Sequence, residues 1–225
     1  MPFLPGISCL EALSCQVTMN TYYEAKHIKF IISLANYFAR CWRNQQSIDS
    51  EVLAQHKAAM LRRLSNLRQP STVLSSSFIA ELELTVPILF SPDYPQVLTH
   101  GDLSLTNILV NEETFEITAI VDWSLATVLP FGIELDILRL TTGYMDLEGW
   151  HDYGCRNKLT EAFWTEFYAL SGAEANLRIR AELAAKLGTV LRYGFQRYAS
   201  GAPTEVVAEE TSSFLKKWAA DYAHT

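Results

Sequence analysis

One stretch of the chain sets polar groups in an order that chemistry can use. His100-Gly101-Asp102 opens a tight turn, Asn107 follows five residues after Asp102, and the apolar run Ile108-Leu109-Val110 comes next. A second apolar run, Ile120-Val121, ends in Asp122-Trp123. Phosphoryl transfer from ATP asks for this set. One carboxylate orients the attacking hydroxyl and accepts its proton, while an Asn and a second Asp hold magnesium against the phosphates. The Asp-x-x-x-x-Asn spacing is the one such catalytic loops use. The apolar residues on both sides weigh against a plainer reading, a helix-breaking Gly-Asp turn beside an unrelated hairpin Asp.

The flanking elements place this stretch on strands. Gln96-Val97-Leu98-Thr99 is short, apolar and β-prone, and it leads directly into the His-Gly-Asp turn. Residues 107–110 and 117–121 read as two short strands joined by the acidic turn Asn111-Glu112-Glu113, a hairpin signature. Most of the rest reads as helix. Apolar residues recur every three or four positions from Tyr22 to Trp42, and a second helix spans Asp49 to Leu67 with Ser47 or Asp49 as its cap. A short helix or turn is expected at Phe78–Leu84, with Pro87, Pro92 and Pro95 breaking the chain after it. Residues 123–132 read as loop. Helices follow at Leu159–Leu170, ended by Gly172, at Glu174–Tyr198 and at Glu209–Tyr222. The expected fold class is α+β and mainly helical, with short β-hairpins carrying the catalytic loop.

Composition narrows the class further. The 225 residues are 49% hydrophobic and 19% charged, enough to bury a substantial core. A net charge of −7 argues against a nucleic-acid partner and suits a cationic small substrate. Cys9, Cys15, Cys41 and Cys155 form no C-x-x-C pair, so neither a zinc site nor a disulfide scaffold is expected. No apolar run reaches the roughly 20 residues of a membrane span. The chain reads as soluble and cytoplasmic, with no membrane partner. Trp150, Tyr153, Phe163, Trp164 and Phe167 read first as core packing and second as the lining of an acceptor pocket. His151 and Asp152 read as an exposed loop pair.

The motif residues bring a family into view. His100 to Val110 and Ile120 to Trp123 resemble the signature of the aminoglycoside phosphotransferase/choline kinase-like group, which has a protein-kinase-like fold. The loop Val128-Leu129-Pro130-Phe131-Gly132, the segment Leu34 to Arg40 and the run Leu191-Arg192-Tyr193-Gly194-Phe195 are similar to its fungal members. The resemblance implies transfer of the γ-phosphate of ATP to a hydroxyl of a small molecule, with Mg2+ as cofactor. It makes Asp102 the catalytic carboxylate and His100 its companion in the loop, bracing the turn. Asn107 and Asp122 become the metal ligands. Leu109 and Val121 become the apolar floor under adenine, although both read equally well as hairpin core, and Phe3 and Leu4 join the nucleotide site from the hinge. Ser104 stands where protein kinases acting on Ser or Thr carry Lys, which leans towards a small-molecule acceptor. A carboxylate near Asp136 is implied to be structural rather than a base.

The same resemblance exposes a gap. There is no G-x-G-x-x-G, and the first lysine, Lys26, lies in a helical pattern rather than a strand. Residues 3–13 resemble the hinge between kinase lobes. The chain therefore divides into a hinge-like connector at 1–20 and the C-terminal lobe of a kinase-like fold at 21–225, with no N-terminal lobe. A lone lower lobe leaves its interface exposed and open to a covering partner. Three readings stay open: a lobe of a phosphotransferase, weak or inactive alone; a non-catalytic kinase-like binding module; or a truncated gene model.

Overall fold

A computed structural model describes residues 4–13, 19–68, 74–146, 149–197 and 203–206. The chain begins with a two-residue strand β1 (Ile7–Ser8) and a single-turn helix α1 (Cys9–Leu13), then forms three longer helices, α2 (Thr21–Arg43), α3 (Ser50–Asn66) and α4 (Ser76–Leu89). Each long helix starts where a short polar side chain can accept a backbone N–H. Asn20 caps α2, Asp49 caps α3 and Ser75 caps α4. The apolar stripe of α2 buries Phe30, Ile31, Leu34, Ala35 and Phe38, a face set by the three- and four-residue spacing.

Helix α4 runs past the limit read from sequence. Pro87 sits inside its last turn, and the helix continues to Leu89 because Val86 and Leu89 are fully buried. Tertiary burial there outweighs the N–H that proline lacks.

The middle of the chain is a set of small antiparallel pairs. Strand β2 (Gln96–Thr99) pairs with β5 (Thr127–Pro130), Val97 facing Leu129. Strand β3 (Ile108–Val110) pairs with β4 (Ile117–Ile120) and, on its other side, with β1. The segment read as loop after Asp122 thus contains β5, whose partner lies some thirty residues upstream and whose pairing no local pattern reveals.

Helix α5 (Asp136–Leu140) and the hairpin β6 (Gly143–Asp146) and β7 (Gly149–Asp152) follow, then α6 (Arg156–Ser171) and α7 (Leu177–Tyr193). The pair His151 and Asp152 lies on β7 rather than in a loop, His151 bonded to Asp146 and Asp152 to Arg156. Helix α6 ends at Gly172, whose φ of +68° closes the last turn in the left-handed region. Helix α7 stops at Gly194, earlier than its apolar stripe implied, and β8 (Phe195–Arg197) and β9 (Pro203–Val206) pair beyond it. The helix read at Glu209–Tyr222 lies outside the described residues.

The core lies between α2 and α6. Phe38 packs edge-on against Phe163 and Phe131, and Trp42 against Phe131 and Phe167. Trp150, Tyr153, Phe163, Trp164 and Phe167 are all buried, so this aromatic set is core. The architecture is α+β and mainly helical. Among the described residues no helix is long and apolar enough to cross a membrane.

His27 ties α2 to the start of the β6 hairpin. It is 1% exposed, hydrogen-bonded to the Thr141 carbonyl, and packed edge-on to Tyr153. Burial holds its pKa below the ordinary 6.5, and the bond to Thr141 only partly offsets this. The unfolded chain therefore binds a proton that the folded chain refuses. Stability falls as pH drops below about 6.5. In urea titrations His27→Gln should flatten that acid limb relative to wild type. An identical pH slope in both would remove His27 as its source.

Candidate active site

The candidate residues lie on the turn after β2, on the ends of the β3–β4 hairpin and on the stretch after β4. The turn is held from beneath. Glu134, 6% exposed, accepts the backbone N–H of His100 at 2.9 Å and of Gly101 at 2.6 Å. Burial pushes its carboxyl above the ordinary range, while these amides, that of Leu103 and the charge of Arg192 pull the other way.

His100 is completely buried and works as a strut. Its Nε2–H donates to the Val121 carbonyl at 2.7 Å, which leaves Nδ1 to accept the Asp102 N–H at 3.3 Å. Its ring also lies 4.8 Å from that of Trp123. One imidazole thus ties the turn to the end of the hairpin. Gly101 has φ +82°, and a Cβ there would overlap the Leu125 carbonyl, so only glycine fits.

Asp102 projects from this turn with 42% of its side chain exposed. Its Oδ1 accepts Arg192 Nη2 at 2.7 Å. Asn107 turns its amide nitrogen inward to the Asp102 carbonyl at 2.9 Å, so its amide oxygen is the atom left to meet a cation. The backbone N–H of Val121 bonds the Asn107 carbonyl at 2.9 Å and brings Asp122 next to Asn107. Asp122 adopts φ +61°, and its Oδ1 accepts the Ser124 hydroxyl at 2.8 Å. An amide oxygen and a carboxylate are hard donors of the kind that suit magnesium together with phosphate oxygens. Among the described residues no group of three or more His, Cys, Asp or Glu is placed to hold a metal by protein ligands alone.

Leu109 and Val121 are half-buried, while Ile108 and Val110 on the opposite face of the strand are fully buried. Leu4 is 44% exposed, in the stretch leading into β1, and Phe3 lies outside the described residues. Asp136 is 1% exposed, with Oδ2 3.8 Å from Arg192 Nη1. Two partners of the loop carry no sequence signal of their own. Glu134 lies thirty-odd residues beyond the turn it braces, and Arg192 lies 90 residues from the Asp it contacts.

Solved structures share this fold at low identity. An aminoglycoside-3'-phosphotransferase of type VIII matches at 16% identity and TM-score 0.51, covering 84% of this chain and 66% of its own. The GDP complex of an aminoglycoside 2'-phosphotransferase-IIIa matches at 18% identity and TM-score 0.51, covering 85% and 60%. The chain thus spans 60–66% of the length of these two structures. No curated protein matches the sequence significantly. The model of the phosphotransferase enzyme family, APH, matches residues 1–168, the span that holds the His100 turn, the hairpin and Asp122, and the chain belongs to that family.

Proposed function

We propose that the chain is the catalytic-loop lobe of an ATP-dependent phosphotransferase that moves the γ-phosphate to a hydroxyl of a small molecule. One observation carries the reading. The half-exposed Asp102 is fixed at its backbone by His100 and Asn107, on a turn that Glu134 holds at the His100 and Gly101 amides, while the Val121–Asn107 backbone bond ties the strand that ends at Asp122 to Asn107. A loop built only for stability has no reason to hold an exposed carboxylate this firmly.

Each residue takes a role from its surroundings. Asp102 orients the acceptor hydroxyl and takes its proton as the new bond to the γ-phosphorus forms and the bond from that phosphorus to the bridging oxygen breaks, releasing ADP. The Asn107 amide oxygen and the Asp122 carboxylate hold Mg2+, which when bound neutralises charge on the phosphates. His100, wholly buried, acts only by keeping Asp102 in place. Leu109 and Val121, half-buried on the hairpin, together with Leu4, line the adenine side. The nucleotide also needs cover from above, because water must be excluded from the transferring group. We assign that cover to a second lobe or partner, for which the apolar residues Leu4 and Trp123, 44% and 39% exposed, leave surface open. The net charge of −7 favours a cationic acceptor.

Calorimetric titration with ATP and with GTP, each with and without Mg2+, tests the reading. GTP is included because one fold neighbour was solved with GDP. Magnesium-dependent binding that Asp122→Ala weakens by at least about tenfold supports it. Binding of neither nucleotide, or binding indifferent to both Mg2+ and Asp122→Ala, overturns it and favours a non-catalytic module.

A further inference from the structure

Arg192 is drawn into the loop, and it arrives from the far end of the chain. It stands on the last turn of α7, outside the span matched by the family model. Two packing features bring it there. Gly188 lies one turn earlier on the same helix face, and a Cβ on it would overlap the Ile133 carbonyl. The absence of that Cβ lets α7 settle against the segment that continues into Glu134 and Asp136. Arg63 of α3 then donates to the Leu191 carbonyl and lies 4.9 Å over the Phe195 ring, fixing the helix end.

The guanidinium is 12% exposed and sits among three carboxylates. Nη2 meets Asp102 Oδ1 at 2.7 Å, and Nη1 lies 3.8 Å from Asp136 Oδ2. Glu134 contributes further negative field. Burial alone would disfavour its charge, but these carboxylates outweigh burial and hold Arg192 protonated. The planar fork lets one residue touch an exposed carboxylate with one nitrogen and face a buried one with another.

We propose that Arg192 is a positioning residue for phosphoryl transfer: anchored against buried Asp136, it holds the Asp102 carboxylate in one orientation, with Oδ1 engaged and the exposed side of the group turned to the acceptor. The inference rests on the phosphotransferase reading above. Its logic is geometric. The Arg192 contact fixes which oxygen of this half-exposed carboxylate is engaged, and misplacement by about 1 Å is enough to slow chemistry roughly a hundredfold.

The test uses the full chain and measures turnover of Mg·ATP, with the acceptor or with water as acceptor. Arg192→Met is expected to lower kcat about a hundredfold and leave the nucleotide KM within about twofold. Arg192→Lys keeps a cation beside Asp136 but is too short and unforked to hold both carboxylates. It should recover about tenfold of that loss with a wild-type thermal midpoint, which also guards against misfolding of the Met variant. If Arg192 acts through Asp102, adding Arg192→Lys to Asp102→Asn should lower kcat no further. Wild-type kcat in both Arg192 variants, or losses that multiply in the double variant, overturns the proposal. A wild-type chain that turns over neither nucleotide sinks the phosphotransferase reading separately. The thermal midpoints of the same two single variants and their double then decide the contact, and strictly additive midpoints refute it.

Discussion

Asp102→Asn is expected to lower kcat by a factor of about 10² to 10⁴ while leaving the affinity for Mg·nucleotide within about twofold. The substitution keeps the size of the side chain and removes its capacity to accept a proton from the acceptor hydroxyl. The surroundings support so selective an effect. The loop is held by backbone bonds that do not use the Asp102 carboxylate, namely those of Glu134 to the His100 and Gly101 amides and of Asn107 to the Asp102 carbonyl. Arg192 loses one ionic partner but keeps Asp136 and Glu134 nearby, so no cation is stranded. The fold should therefore survive, with a thermal midpoint within a few degrees of wild type. Single-turnover measurement separates the two effects, since it reads chemistry apart from binding. An unchanged kcat would dismiss Asp102 as the proton acceptor, and a large loss of nucleotide affinity would relocate its role to the phosphates.

The reach of sequence reasoning in this chain followed distance along it. Asp102, Asn107 and Asp122 fall within one short stretch, so residue type and spacing single them out as candidates. Helices α2, α3 and α6 announce themselves because their buried faces repeat every three or four residues. What escaped was non-local. Strand β5 is defined by pairing with β2, and its Thr-Val-Leu-Pro sequence says nothing of that partner. Pro87 was read as a break, but Val86 and Leu89 are seated so deeply that the helix persists. The apolar stripe of α7 carries on in sequence past its end at Gly194, because Phe195 is buried from a strand instead. Glu134 stands in no motif of its own, and Arg192 enters only as part of a resemblance. Both matter through contacts closed by the fold, which a spacing argument cannot supply.

Glu134→Ala is expected to cost the fold about 2–4 kcal/mol and to abolish turnover with it. Glu134 is 6% exposed, and its two oxygens satisfy the amides of His100 and Gly101. With the carboxylate gone, those buried donors lose their acceptor. Each buried donor left unmade costs roughly 1–3 kcal/mol. The left-handed Gly101 has no other support for its N–H among the bonds described, and the turn that presents Asp102 would relax. Glu134→Gln separates shape from charge. Its amide oxygen can still accept one N–H, but its NH2 group would face the other donor and the Arg192 cation, so it should retain some stability and little activity. The signs of the pH response differ as well. Burial raises the Glu134 carboxyl above its ordinary range, so the folded chain holds that proton to higher pH than the unfolded chain does. Its contribution is then fully present below the unfolded value and declines as pH rises through the folded one. Urea titrations of wild type and Glu134→Gln across that window measure the difference directly. If the two proteins lose stability in parallel as pH rises, Glu134 stays ionised throughout, and its amide and Arg192 contacts, rather than burial, control its charge.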